Sequence, residues 1–359
     1  MHKTFIAGAG TIGTLIAALL VNSGGYEVYL VDNNLSHLSL PPYKNLHLHQ
    51  LDVKDSEQLK QYLLDNEIEI TISSLPYFHN MFIANAAAEL NLNYFDLTED
   101  INVAAEVRRL AHNKAAAFVP QCGIAPGFIN IVANHLMTRF DKIQATYLRA
   151  GCLPKSSHNA LQYAITWSLD GLINEYGNTC YGLVNGEKVA LQPLDDLELV
   201  ELDGTLYEAF NTSGGVGSLN ETYQGKVQTL NYKTLRYPGH CEKMRFLMKD
   251  LQLNEDRPTL RRILEKSLPR TDQDVMLLYV SVTGEKEGSY YEQSYVKKIE
   301  PMVLHERKWT AIQISTASSL CAVVDLVMDN PEDYRGFILQ EQFALEKFLN
   351  NRFGQIFNL

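Results

Sequence analysis

FIAGAGTIG, residues 5–13, sets Gly8, Gly10 and Gly13 between a short apolar run and an amphipathic stretch. The first glycine permits a tight turn, the second lets the backbone approach a pyrophosphate, and the third lets a helix pack closely on a strand. Upstream, Thr4 to Ala7 reads as a strand. Downstream, Ile12, Leu15, Ile16, Leu19 and Leu20 fall on one helical face, and Gly24-Gly25 closes the helix. The N–H groups of its first turn, from Thr11 and Ile12 onward, and the positive end of its dipole suit phosphate. A second strand, Glu27 to Val31, ends at Asp32. A carboxylate there accepts hydrogen bonds from both ribose hydroxyls and repels a 2′-phosphate; Asn33 and Asn34 follow, with no arginine nearby to neutralise one. NAD is therefore expected in preference to NADP, against the bland alternative that Asp32 is a solvated turn acid.

Working outward, short apolar runs keep alternating with amphipathic stretches to about residue 120, the pattern of a parallel sheet wrapped by helices. Leu46 to His49 is a third strand, followed by Asp52 and Val53 as candidate neighbours of adenine. A helix opens at Asp55, with Gln58 in capping-box position. Glu69 to Ser73 leads into Ser74, Leu75 and Pro76, candidates for the nicotinamide-ribose border, although ordinary loop chemistry explains these positions too. An alanine-rich helix spans Asn85 to Leu90, and the strands Tyr94 to Leu97 and Ala117 to Pro120 complete a sheet of about six. The fold class expected is α/β: a Rossmann-type parallel sheet with helices on both faces, over residues 1–125. A second, α+β domain is expected over residues 126–308, with strands such as Ala145 to Arg149 and a hairpin of Val275 to Gly284 with Tyr290 to Lys298. The apolar helix Ala311 to Met328, stopped before Pro331, is expected to bring residues 309–345 back onto the first domain.

The formal net charge of -11 opposes nucleic acid or an anionic membrane as partner, while a few local cations suffice for a small anionic ligand. The five cysteines are widely spaced, with no C-x-x-C pair, which points to reduced thiols in the cytoplasm and to no metal site. Phe5 to Val21 is apolar behind Lys3, as a leader peptide would be, yet it carries the three spaced glycines and runs into an acid-ended strand. No later stretch is expected to cross a bilayer.

Beyond residue 120 the motifs lengthen. CGIAPGF at 122–128, LQYAITWSLDGLINEY at 161–176 and GKVQTLNYKTLRYPGH at 225–240, with YFDLTED at 94–100 and AFNTSGG at 209–215, resemble the saccharopine dehydrogenase family, within it especially the lysine 6-dehydrogenases. The resemblance covers most of the chain and weakens after about residue 250. It implies an oxidoreductase that uses a nicotinamide cofactor at a C–N bond of lysine or a lysine adduct. It also implies that the second domain binds the substrate and mediates a homodimer. Two departures bear on the branch: Ala125 stands where saccharopine reductases carry Asp, and Ala150 where they carry Cys. These tilt the reading toward free lysine or a similar diamino acid over saccharopine, with the carboxynorspermidine enzymes a third branch.

Oxidising an amine requires an ammonium with an ordinary pKa of about 10.4 to lose its proton first, so the site must offer a base, a dry pocket, or both. The substrate carboxylate calls for a forked guanidinium, and Arg236 is the leading anchor, assisted by Lys233 and Thr234; a structural ion pair is the alternative for Arg236. His240, and His158 at the start of a helix expected to bear Tyr163 and Trp167, are candidate bases, with a structural histidine the blander reading of each. Glu175, beside Tyr176 at that helix's end, is a candidate holder of the substrate ammonium. Asp96, Glu99 and Asp100 lie at the carboxyl edge of the sheet, where helix capping competes with catalysis. Cys122 has no local partner base, so a packing role is expected for it. The function that follows is NAD-dependent oxidative deamination of lysine or a related amino acid. Saccharopine or carboxynorspermidine oxidation is the enzymatic rival, and a non-catalytic NAD-binding regulator is the rival from another class.

Overall fold

In the computed structural model, which describes residues 1–36, 38, 43–304 and 306–358, the chain divides into two compact units: Met1–Ile124 with Ser315–Leu359, and Ala125–Ile314. The first unit starts with β1 (His2–Ala7), α1 (Thr11–Asn22), β2 (Tyr26–Asp32), β3 (Leu46–Gln50), α2 (Ser56–Asp65), β4 (Ile70–Ser73), α3 (Asn80–Leu90), β5 (Asn93–Asp96), α4 (Ile101–Leu110) and β6 (Ala117–Val119). These strands lie parallel in the order β3-β2-β1-β4-β5-β6. The order reverses at β1 and β4, the switch point at which doubly wound sheets bind dinucleotides beyond their carboxyl ends. Phe5, Ala7, Tyr29 and Val31 pack with Leu59, Ile83 and Val107 from α2, α3 and α4. Ile6, Leu30 and Ile72 alternate to the opposite face and are just as buried, so both faces are covered and the strands read as unbroken apolar runs. For the same reason α1 is buried nearly all round, and Leu19, expected on its inner face, is only half-buried.

The second unit carries α5 (Phe128–Met137), β7 (Lys142–Pro154), α6 (Leu169–Gly177), β8 (Cys180–Val184), β9 (Glu187–Leu191), β10 (Glu198–Leu202), β11 (Thr205–Asn211), α7 (Leu219–Tyr223), β12 (Val227–Arg236), α8 (His240–Arg245), α9 (Arg257–Ser267), β13 (Asp274–Lys286), β14 (Ser289–Ile299), β15 (Met302–Leu304) and β16 (Arg307–Trp309). Its main sheet runs β10-β11-β12-β7-β13-β14, antiparallel except where β7 meets β12. On one face Phe210 packs with Leu172, Met244 and Leu260 from α6, α8 and α9; on the other, Leu235 packs with Leu153, Tyr207 and Leu277. The helix expected to begin near His158 starts only at Leu169, where Ser168 accepts the N–H of Gly171 at 3.2 Å. Tyr163 and Trp167 therefore sit on irregular chain, and Ile165 forms a lone bridge to Arg270.

The chain then enters α10 (Ala311–Asp329), whose first N–H groups are capped by the buried Asp274: Ala311 N and Ile312 N donate to it at 2.6 and 3.0 Å. By length and composition this 19-residue helix could cross a bilayer, contrary to the expectation that no segment would. Its apolarity has a different cause: Leu320, Val323 and Val324 are fully buried in protein. β17 (Gly336–Phe337) adds to β6 as a seventh parallel strand, one more than expected, and α11 (Leu345–Asn350) follows.

Candidate functional site

At the carboxyl end of β1 the chain turns through Gly8 at φ +100°, a left-handed conformation that costs any other residue strain. A Cβ on Gly8 would lie 2.8 Å from the Ser74 carbonyl, and one on Gly13 1.9 Å from the Gly8 carbonyl. A Cβ on Gly10, by contrast, would meet nothing within 4 Å. Two glycines thus press the turn against β4 and α1, while the third faces open space at the start of α1. No side chain caps that helix, so the N–H groups of Thr11, Ile12 and Gly13 are offered outward. Asp32 ends β2, accepting Ala9 N at 2.7 Å and Asn34 N at 3.0 Å, which fixes its carboxylate against the glycine turn. Asn33 gives its carbonyl to Gln50. Asp52 accepts Lys54 N within its own turn, and the Val53 side chain packs in the core. Ser74 N donates to Ala7 O at 2.8 Å, with Leu75 and Pro76 beyond it. The open cradle and the fixed carboxylate fit a dinucleotide: helix N-terminus for pyrophosphate, Asp32 for ribose.

Asp96, at the end of β5, and Asp100, just beyond it, have structural roles. Asp96 is fully buried and accepts the Tyr94 hydroxyl at 2.7 Å, Thr98 N at 2.9 Å and Gln121 N at 3.0 Å, tying the ends of β5 and β6 together. Asp100 caps α4 through Asn102 N and Val103 N. Cys122 is buried with its thiol on the Val119 carbonyl, and burial pushes its pKa well up, so it is no nucleophile.

In the second unit, strand alternation brings Tyr232, Thr234 and Arg236 to one face of β12. Arg236 is buried, with Nε donating to the Tyr176 hydroxyl at 2.8 Å and Nη1 to the Leu235 carbonyl at 2.8 Å. Its guanidinium carbon lies 5.3 Å from the Tyr163 ring centre and 5.8 Å from that of Tyr176. Its remaining nitrogen, Nη2, has no acceptor among the described residues. Burial by itself would lower the Arg236 pKa, but Tyr176, Tyr163 and Glu175 outweigh it and hold the group charged. Glu175, itself buried, comes from the same turn of α6 as Tyr176. Thr234 and Thr212 share a hydrogen bond of 2.7 Å.

His240 is placed by two contacts, Nδ1 to the Leu161 carbonyl at 2.7 Å and Nε2 to the Tyr176 hydroxyl at 3.1 Å. Burial, then the Arg236 charge, depress its pKa to about 3. It is a neutral imidazole donating from Nδ1, so Nε2 accepts from Tyr176 and Tyr176 in turn accepts from Arg236. Of the two readings the sequence left open for His240, base or structural histidine, these contacts favour the second: with both nitrogens engaged, it orients Tyr176 and, through it, Arg236. Burial also raises the Tyr163 phenol, which stays protonated at neutral pH.

Two further expectations do not meet in this cluster. Lys233 points to the opposite face of β12, held by Glu198 and Asp196 at 2.9 Å each, because neighbouring strand residues alternate faces. His158 is exposed on the irregular segment. Arg236, Thr234, Tyr163, Glu175 and His240 do come together. Alternation in NYKTLR would have added Tyr232 and removed Lys233; the Leu161 carbonyl and Thr212, distant in sequence, carried no such signal.

A dinucleotide cradle on a doubly wound sheet, followed by a mixed-sheet unit that buries an arginine among tyrosines, fits the class of two-domain dehydrogenases. Residues 4–121 match the model of the saccharopine dehydrogenase NADP binding domain and residues 123–355, over half the chain, that of the saccharopine dehydrogenase C-terminal domain. The chain belongs to the saccharopine dehydrogenase family, whose members are oxidoreductases acting at C–N bonds with a nicotinamide cofactor. The mitochondrial alpha-aminoadipic semialdehyde synthase of Bos taurus is 19% identical over 342 residues, 89% of this chain and 36% of that protein; the Mus musculus enzyme is 22% identical over 279 residues, 72% and 29%. This chain spans about a third of the length of those curated relatives. Among solved structures, saccharopine dehydrogenase (L-Glu forming) from Saccharomyces cerevisiae has a TM-score of 0.77 at 14% identity, covering 98% of this chain and 97% of that one. Homospermidine synthase of Legionella pneumophila, in complex with NAD, has a TM-score of 0.68 at 12% identity, covering 99% and 89%. At such identities these structures share the fold.

Proposed function

We propose that this protein is an NAD-dependent dehydrogenase of lysine or a closely related diamino acid. The observation that carries the reading is Arg236: a charged guanidinium, buried in an aromatic cage, with one nitrogen lacking an acceptor among the described residues, suits a substrate carboxylate. Bound NAD would supply the hydride acceptor, with Gly8, Gly10, Gly13 and Asp32 holding it. The fixed Asp32 carboxylate, with no arginine in the turn after it, supports NAD over NADP.

Glu175 serves the substrate amine. As a carboxylate it holds the ammonium and then accepts its proton, which frees the nitrogen lone pair while the carbon gives up hydride. The C–H bond breaks, a C=N bond forms, and two electrons leave as hydride. Water then adds to the imine, releasing a semialdehyde and ammonia. Tyr163 and Tyr176 wall the anchor from water, and His240 holds Tyr176 in register.

The test is the NADH absorbance that appears when the purified protein is given NAD with lysine, ornithine, saccharopine or carboxynorspermidine in turn. Turnover of lysine or ornithine supports the reading. Turnover of saccharopine or carboxynorspermidine alone replaces the substrate, and tight NAD binding with no turnover of any of them moves the protein to a regulatory class.

A further inference from the structure

On the sheet face opposite Tyr232, Thr234 and Arg236 there is a cavity of about 520 Å³, lined by residues that include Lys155, Ser157, Tyr207, Tyr237, Lys298 and Glu300. Tyr207 and Tyr237 belong to the apolar cluster of Leu235 and Leu277, whose side chains alternate away from Arg236. Their rings stack at 5.8 Å and form one wall. The volume lies in the range that holds small molecules.

The charges around it are uneven. Lys155 Nζ is bonded to Glu300, and Lys298 Nζ lies 4.0 Å from the other oxygen of the same carboxylate. One carboxylate therefore serves two ammonium groups, which leaves a surplus positive charge. Ser157 Oγ, also in the lining, is buried with no hydrogen-bond partner among the described residues, and a buried hydroxyl without a partner costs stability unless a ligand supplies one. A single surplus charge matches a carboxylate better than a phosphate, which carries nearly two negative charges at neutral pH.

We propose that this cavity binds a small carboxylate-bearing molecule at a site separate from the arginine cluster. The two ammonium groups hold the carboxylate and Ser157 donates to it. Tyr237 follows Arg236 in the chain, and Gln162, another lining residue, precedes Tyr163, yet Arg236 and Tyr163 themselves are not among the residues that line this cavity.

Calorimetric titration of glutarate into the full chain, with NAD and amine absent, tests this independently of the reaction proposed above. One binding site is expected. The double variant Lys155→Met with Lys298→Met should weaken it at least about tenfold, and Ser157→Ala about threefold. Arg236→Gln, checked for fold by circular dichroism, should leave it unchanged within about twofold, as expected of uncoupled sites. Absence of heat overturns the proposal. So does an affinity that survives the lysine and serine changes, which would place the anion elsewhere. A dimer that dissociates when the lysines are replaced overturns it too, because the cavity would then be an interface between copies.

Discussion

The guanidinium of Arg236 is the residue on which the proposed chemistry depends most. Removing a charge-assisted bond to a substrate carboxylate costs about 3 kcal/mol, so Arg236→Ala should lower kcat/KM about a hundredfold, mainly through KM. Steady-state kinetics with lysine check this, and unchanged KM removes Arg236 from the site. Asp32→Ala should weaken NAD about tenfold while NADP affinity holds or rises, read by fluorescence titration of the reduced cofactors. Equal losses would count against the ribose role. His240 gives a pH prediction. Its folded pKa of about 3 lies below its ordinary value of 6.5, so between those two values the unfolded chain binds more protons. The stability it contributes is complete above about pH 6.5 and drains away as the pH falls toward 3. His240→Gln should flatten that acid limb of the stability curve, measured by denaturant unfolding from pH 4 to 8, and should raise KM by loosening Tyr176. An unaltered limb would mean that His240 is not buried neutral.

At the scale of elements, two junctions hold the first unit together. One is the contact of α1 with the glycine turn, where Gly13→Ala would force a methyl against the Gly8 carbonyl. Overpacking of this kind costs about 1–3 kcal/mol, and the cradle should lose NAD binding before the unit unfolds. Calorimetry with NAD beside a thermal melt separates the two effects. The other junction is Asp325 on α10. Its carboxylate accepts the Tyr26 hydroxyl at 2.7 Å, Asn351 Nδ2 at 2.8 Å and two Arg352 nitrogens, at 2.5 and 3.1 Å. Asp325→Ala leaves the buried Tyr26 hydroxyl without its acceptor and should destabilise the unit by about 2 kcal/mol, visible as a lower melting temperature.

At the scale of the whole molecule, the first unit is discontinuous: it needs residues from both ends of the chain. After α10 come β17, the Gln340 amide on the Pro120 carbonyl at 2.9 Å, and the buried rings of Phe343, Phe348, Phe353 and Phe357. Four buried phenylalanines contribute about 8 kcal/mol, comparable to the entire stability of an ordinary domain. A chain ending at Asn330 should therefore lose NAD binding and show first-unit amides with little protection from hydrogen exchange. Protection retained in β1 and β2 would contradict this.

The Rossmann half was legible because its signals are local. FIAGAGTIG, the acid closing β2, and the alternation of strand and helix periods each follow from backbone sterics and burial within a few residues. Asp32 and Gly10 stand where that local pattern put them. The second unit's site was only partly legible. The motifs carried Arg236, Thr234, Tyr163 and Glu175, yet Lys233 in the same run faces the other way and His240 spends both nitrogens on structure. What the linear order of residues determined alone was the cradle and its appetite for a dinucleotide. Which polar groups meet around the arginine, which face each strand residue takes, and which histidine is forced neutral were decided by the tertiary fold, because desolvation and hydrogen-bond partnership depend on neighbours that lie far apart in sequence.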